Sequence, residues 1–235
     1  MATRKPARPE HIIQLKGNLA EVDRLLEIHS EIAGATVGRK YKVEVLNRSA
    51  LVLLVACWEA FVEDLATNAF DFLLKNSDSP DVFSKRVLVA ATRELRTDPD
   101  ESRIWAIAGD NWKRVLAMHR DATLKRYVGK LNTPRPEQVD SLFEELIGLR
   151  SLSKEWSWQK NPNADVLERL GHLIKRRGAI AHRVSEGAAV HKAYVRRSAE
   201  MIIRTSSISS NRVRDHLKIQ TGKLPWRQIT AGSAK

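Results

Sequence analysis

Cysteine occurs once in the 235-residue chain, at Cys57. One cysteine excludes a disulfide scaffold and any zinc site built from several thiolates, and it fits a reducing compartment. Glycine and proline are scarce as well: together they supply 19 residues, about 8% of the chain against a usual share of roughly 12%. Few turn residues mean few turns, which favours long helices over many short strands. The longest unbroken apolar run, Ala50 to Trp58, has nine residues, whereas a membrane span needs about 20; no membrane association is expected. The opening residues MATRKPARPEH are basic and lack an apolar stretch, so no secretory signal is expected. A Gly-rich phosphate loop, a G-x-S-x-G elbow and an H-E-x-x-H pair are all missing.

Apolar residues make up 43% of the chain and Trp occurs six times, enough for a real core and too much for a wholly disordered chain. The net charge is +12. Its placement is uneven: residues 166–235 hold 15 Lys and Arg against 4 Asp and Glu, and residues 1–165 hold 25 against 24. A basic last third suggests a polyanionic partner, nucleic acid above all; the alternative is a solvated basic surface.

Residues 1–9 read as a disordered basic tail. Ile12, Leu15, Leu19, Val22 and Leu26 recur at three- and four-residue steps, one stripe of an amphipathic helix that Gly34 and Gly38 end. A second helix is expected from about Arg39 to Lys75. Its middle (ALVLLVACW) is apolar on every face, which places it at the centre of a bundle. Ser79-Pro80 reads as an N-cap with Pro at the first helical position, opening a helix over about Asp81 to Leu95. Further helices are expected over about Asn111 to Leu131, from Pro136 through Leu149, over Ala164 to Arg183 and over Ala188 to Thr205. Ser206 to Asn211 reads as a loop before a short basic helix. The chemistry of the pattern is therefore all-α: one helical domain over 10–206, with a basic C-terminal extension over 207–235.

The helix at 164–183 carries the unusual residue. On an ideal helix Val166, Leu167, Leu170, Leu173, Ile174, Ile180, Ala181 and Val184 share one arc. Arg177 falls in its middle, whereas Lys175 and Arg176 fall outside. A guanidinium cannot shed its charge, so it needs an anionic partner on a buried face. Either Arg177 pairs with an internal carboxylate or it lines a cleft that binds an anion. His182 lies five residues on, and Gly171 and Gly178 would allow a neighbouring helix to approach closely. Glu59 and Glu63, one turn apart on the second helix, are the acids of a strongly apolar segment. One of them could orient Arg177, or both could form an ordinary polar edge. Their spacing alone does not make a metal site, and no His follows at the spacing of di-iron bundles. Trp156 and Trp158 either stack on bases or plug the core. Arg212, Arg214, Lys218, Lys223 and Arg227 either track a nucleic-acid backbone or are solvated. Cys57, inside the most apolar segment, reads as an inert core residue.

Three stretches carry a family resemblance. Leu173 to His182 (LIKRRGAIAH) resembles the signature of the HEPN superfamily, an Arg followed after four to six residues by His. Here it reads Arg177-Gly-Ala-Ile-Ala-His182, or starts one residue earlier if Arg176 is the motif Arg. Leu131 to Gly148 (LNTPRPEQVDSLFEELIG) with Trp156-Ser-Trp158 resembles the middle of the RiboL-PSP HEPN branch. Ala50 to Leu65 (ALVLLVACWEAFVEDL) resembles its opening helix.

The resemblance implies a multi-helix bundle of HEPN type and a metal-independent endoribonuclease without cofactors. Arg177 would hold the scissile phosphate and His182 would act as general base or acid. Glu59, Arg176 and Arg183 would be auxiliary or RNA-binding. Attack by the 2′-hydroxyl would leave a 2′,3′-cyclic phosphate. Many members carry a polar residue, often Asn, directly after the Arg; here it is Gly178. The resemblance further implies a cytoplasmic homodimer with both motifs facing one cleft, RNA as partner, and a role in prokaryotic defence or a toxin-like system, with an antitoxin or other regulatory protein as a further partner. The rival readings are a non-catalytic HEPN module that binds RNA or a partner protein, and a structural helical-bundle subunit.

Overall fold

The apolar stretch at 50–73 lies in a 32-residue helix, α2 (Glu44–Lys75), which forms the axis of the fold. The computed structural model describes residues 7–33, 43–127, 134–182 and 189–230, with the His182 side chain outside the description. By length and composition α2 could cross a membrane; in the fold half of its most apolar stretch is buried inside the protein. Leu51, Leu54, Phe61, Leu65, Phe70 and Leu73 are at most 1% exposed. Helices α1 (Glu10–Ala33), α6 (Pro136–Ile147), α7 (Asn163–His182) and α8 (Lys192–Thr221) pack around α2. The expected α1 stripe, Ile12 through Leu26, is buried. Among the described residues there is no strand beyond one isolated bridge, Trp158 to Asn161, so the all-α expectation holds there.

The expected third helix is broken. Ser79 caps a single 3-10 turn (Pro80–Val82) by accepting from Asp81 N. Phe83 is then extended and buried against Phe70. Ser84 caps α3 (Lys85–Ala91) by accepting from Val87 N, and α4 (Arg93–Thr97) follows. A buried aromatic anchor thus interrupts what sequence pattern alone reads as continuous. α5 (Asn111–Tyr127) begins where expected; Val128, Leu131 and the Asn132-Thr133 stop lie outside the described residues, as do Gly34, Gly38 and residues 1–6.

α6 starts at Pro136 and ends at Gly148, whose φ of 73° favours glycine. A Cβ there would also come within 2.8 Å of the Ser84 side chain. The loop after α6 is latched: Asp140 accepts from Ser153 N and Oγ, both at 2.7 Å. Asn163 Nδ2 donates to the carbonyls of Ser153 and Trp156. The latch sets the indoles. Trp156 is fully buried, donates to Ser209 Oγ at 2.9 Å and meets Trp58 edge to face. Trp158 packs half-buried on the core. Both indoles plug the core rather than stand ready for bases.

The largest correction concerns the C-terminal third. Ser206 to Asn211 is not a loop, because α8 runs unbroken through it. Ser and Asn favour loops when their side chains compete for backbone groups in water. Here the serines are inside. Ser209 Oγ donates to Thr205 O four residues back, Ser210 Oγ meets His11 Nε2 at 2.9 Å, and Ser206, Ser209 and Ser210 are at most 1% exposed. The expected boundary at 206 falls inside α8, and Val213, Leu217, Trp226 and Ile229 join the core. Of the basic residues beyond it, Arg212 pairs with Glu155 at 3.3 Å, Arg214 donates to Trp226 O, and Lys223 donates to Asn76 Oδ1. Cys57 is buried, and burial pushes its thiol up to about 11, which keeps it protonated and inert.

Candidate active site

α7 turns Val166, Leu170, Leu173 and Ile174 into the core, and Ile180 packs partly against it. Arg177 shares that side of the helix, as its register requires. Its Nη2 lies 3.9 Å from Glu59 Oε1 on α2, with the two side chains 20% and 23% exposed. That separation is an ion pair but too long for a hydrogen bond. Arg177 Nε is buried and has no hydrogen-bond partner among the described residues. The guanidinium is therefore neutralised by Glu59 without being saturated by it, and retains donors in a fixed planar fork suited to a phosphate. Of Glu59 and Glu63, Glu59 is the one that faces Arg177.

Beside this pair lies a groove of about 670 Å³ between α2 and α7. Val45, Ser49, Val52, Leu53 and Ala56 line one wall and Ile180 the other. Ala56 and Ile180 are each three residues from a member of the ion pair, so the groove ends within one helical turn of it. Gly178 and Gly171 were expected to admit a neighbouring helix. Among the described residues none approaches: a Cβ at either would meet nothing within 4 Å.

Arg176 sits differently. Its Nη2 donates to Ala189 O at 2.7 Å and its guanidinium stands 4.7 Å over the Tyr194 ring. On the α2 side, buried Asn47 donates to Val190 O at 2.9 Å. Arg176 and Asn47 thus grip residues 189–190 from two helices and fix where the chain enters α8. Sequence reading missed Asn47 and Tyr194. Asn47 is one of two amides in α2, and its partner is 143 residues away, so no local pattern marks it.

His182 is the last residue of α7, five beyond Arg177 and hence about 7.5 Å further along the axis. Its side chain, and Arg183 entirely, lie outside the described residues. Among those residues no group of three or more His, Cys, Asp or Glu could hold a metal ion.

An all-α bundle with an arginine on the core-facing side of its penultimate long helix, paired to a glutamate of the central helix, defines the class. The RiboL-PSP-HEPN family profile matches residues 18–218. The chain belongs to the RiboL-PSP HEPN family, whose superfamily includes many ribonucleases. Neither curated proteins nor solved structures gave a match.

Proposed function

We propose that the protein is a metal-independent endoribonuclease. The observation that carries this reading is Arg177: a cation kept on the apolar side of α7, balanced by Glu59 across 3.9 Å, with a buried Nε that has no hydrogen-bond partner among the described residues. A structural ion pair would be expected to close its hydrogen bonds. A guanidinium awaiting a phosphate would not.

In the proposed reaction His182 takes the proton from a ribose 2′-hydroxyl, and the 2′-oxygen attacks phosphorus. The bond from phosphorus to the 5′-oxygen breaks, and that oxygen takes up a proton. The products are a 2′,3′-cyclic phosphate and a 5′-hydroxyl. Arg177 holds the non-bridging oxygens as charge builds on them. Glu59 orients Arg177 and is a positioning residue. Arg176 contributes indirectly by holding the segment that follows His182.

The working form is a homodimer. The α2 wall of the groove is apolar and built partly of small residues, and Val45 is 60% exposed. A second copy laid there would cover this wall and bring two Arg177 groups to one cleft. A single buried cysteine suits a reducing cytoplasmic setting, and defence or toxin-like cleavage of RNA is the biological role we favour. The test is cleavage of mixed RNA in EDTA by the purified protein and by its Arg177→Ala and His182→Ala variants. Cleavage that EDTA abolishes, or that both variants retain, rules the reading out.

A further inference from the structure

A second concavity lies on another part of the molecule. Helices α3, α4 and α5, the 3-10 segment Glu101–Ile107 and the edge of α6 enclose a cleft of about 1230 Å³. One face of α5 lines it along the helix's whole length, from Asn111 through Arg126 at three- and four-residue steps, a run of about 22 Å. The floor is apolar: Val115 and Met118 on α5, Val89 on α3 and Leu95 on α4. Val89 and Met118 are 47% and 58% exposed. Lys85, Arg93 and Arg114 stand around this floor, all exposed, and none has an ion pair or hydrogen bond among the described residues. Two carboxylates also line the cleft: Glu145, already engaged by Arg126 and by the Tyr127 hydroxyl, and the exposed Glu94 on α4, which leaves the cations in excess.

We propose that this cleft docks an acidic amphipathic helix of a partner protein. Its apolar stripe would lie on Val89, Leu95, Val115 and Met118, and its carboxylates would meet Lys85, Arg93 and Arg114. The cleft has the length of about four helical turns and a straight floor between helices, which is the helix-in-groove arrangement. Methionine adapts to the side chains laid against it. Charge complementarity sets the sign of the partner. A single-stranded nucleic acid would satisfy the cations but leave the floor unused, because base stacking relies on aromatic platforms: among the described residues no Phe, Tyr or Trp lines this cleft, and the His119 ring is tied to Glu145 O at 3.1 Å. Trp105 is exposed on the 3-10 segment but is not part of the wall. The inference is independent of the Arg177 site.

Fluorescence anisotropy with the full chain tests it. One probe is a labelled 16-residue peptide with Leu at every third and fourth position and Glu between. A second has the same composition shuffled to break the stripe. The third is a 12-nucleotide single-stranded RNA made uncleavable by 2′-O-methylation. The striped peptide is expected to bind at least tenfold more tightly than the shuffled one. Arg93→Glu/Arg114→Glu and Met118→Asp, each checked for an unchanged helical spectrum, are each expected to weaken it at least tenfold. Equal binding of both peptides would reduce the cleft to a charged surface and overturn the proposal. So would no binding of the striped peptide, or RNA binding that these same variants abolish while the striped peptide fails to compete.

Discussion

Arg177 on α7 and Glu59 on α2 face each other at 3.9 Å, close enough for charge balance and too far for a hydrogen bond. Each side chain is about four-fifths covered, so the pair lies between the exposed and buried regimes. Replacing Glu59 by Gln removes the counter-charge and keeps the shape. We predict a loss of about 1–2 kcal/mol in urea unfolding, with cleavage lowered less than by Arg177→Ala. Unchanged stability together with unchanged cleavage would show that Glu59 does not hold Arg177.

Arg176→Ala separates the neighbouring cation from the first. It removes the hydrogen bond to Ala189 O and the stacking on Tyr194, worth about 1–2 kcal/mol together. Its cleavage should fall less than that of Arg177→Ala. If Arg176→Ala is dead and Arg177→Ala active, the motif starts one residue earlier than drawn here.

His11 gives the fold a pH dependence. Burial pushes its imidazole from 6.5 down to about 3. Asn68 Nδ2 donates to Nδ1, which leaves Nε2 to carry the proton toward Ser210 Oγ. The folded state therefore holds His11 neutral, while the unfolded chain protonates it below about 6.5. Protons favour unfolding in that window, so stability falls as pH drops from about 6.5 toward 3, by up to about 1.4 kcal/mol per unit from this group. His216, lowered chiefly by burial, acts with the same sign. Urea midpoints at pH 7, 6, 5 and 4 should show the fall, and His11→Gln should make it shallower. An equal slope in the variant would remove His11 from the account.

The residues beyond 206 test the corrected fold. Trp226 packs on His11 with ring centroids 4.8 Å apart, and its indole N–H donates to Ser210 O. Trp226→Ala should cost about 3–5 kcal/mol. A chain ending at residue 206 would lose Ser209, Ser210, Val213, Leu217 and Trp226 from the core and should fail to unfold cooperatively. A stable truncated bundle with an intact melt would restore the view of 207–235 as an appendage.

What sequence could and could not say divides along physical lines. The α1 stripe, the apolar axis of α2 and the Pro136 start were legible because periodicity and Pro chemistry are local. Arg177 was legible for the same reason: its angle on α7 follows from its neighbours. Ser206 to Asn211 misled because serine reads as loop unless its hydroxyl has an internal partner, and His11 and Trp156 lie far away in sequence. Phe83 broke the third helix through a tertiary contact with Phe70. Gly178 was read as a place for a neighbouring helix, yet among the described residues nothing lies within 4 Å of a Cβ placed there. Asn47 and Tyr194 act only through residues that no local pattern connects to them.

The most direct measurement is a cleavage time course on one RNA in EDTA, comparing the parent, His182→Ala and Arg177→Ala at equal helical content. Loss of acid–base help is typically worth about 10²–10⁴ in rate, and loss of a preorganised charge contact about 10²–10³. The account predicts metal-independent cleavage by the parent to 2′,3′-cyclic phosphate ends, a fall of at least about 100-fold in each variant, and no cutting of DNA of the same sequence. Parent-like cleavage by His182→Ala, or a parent inactive on RNA under all these conditions, would contradict it.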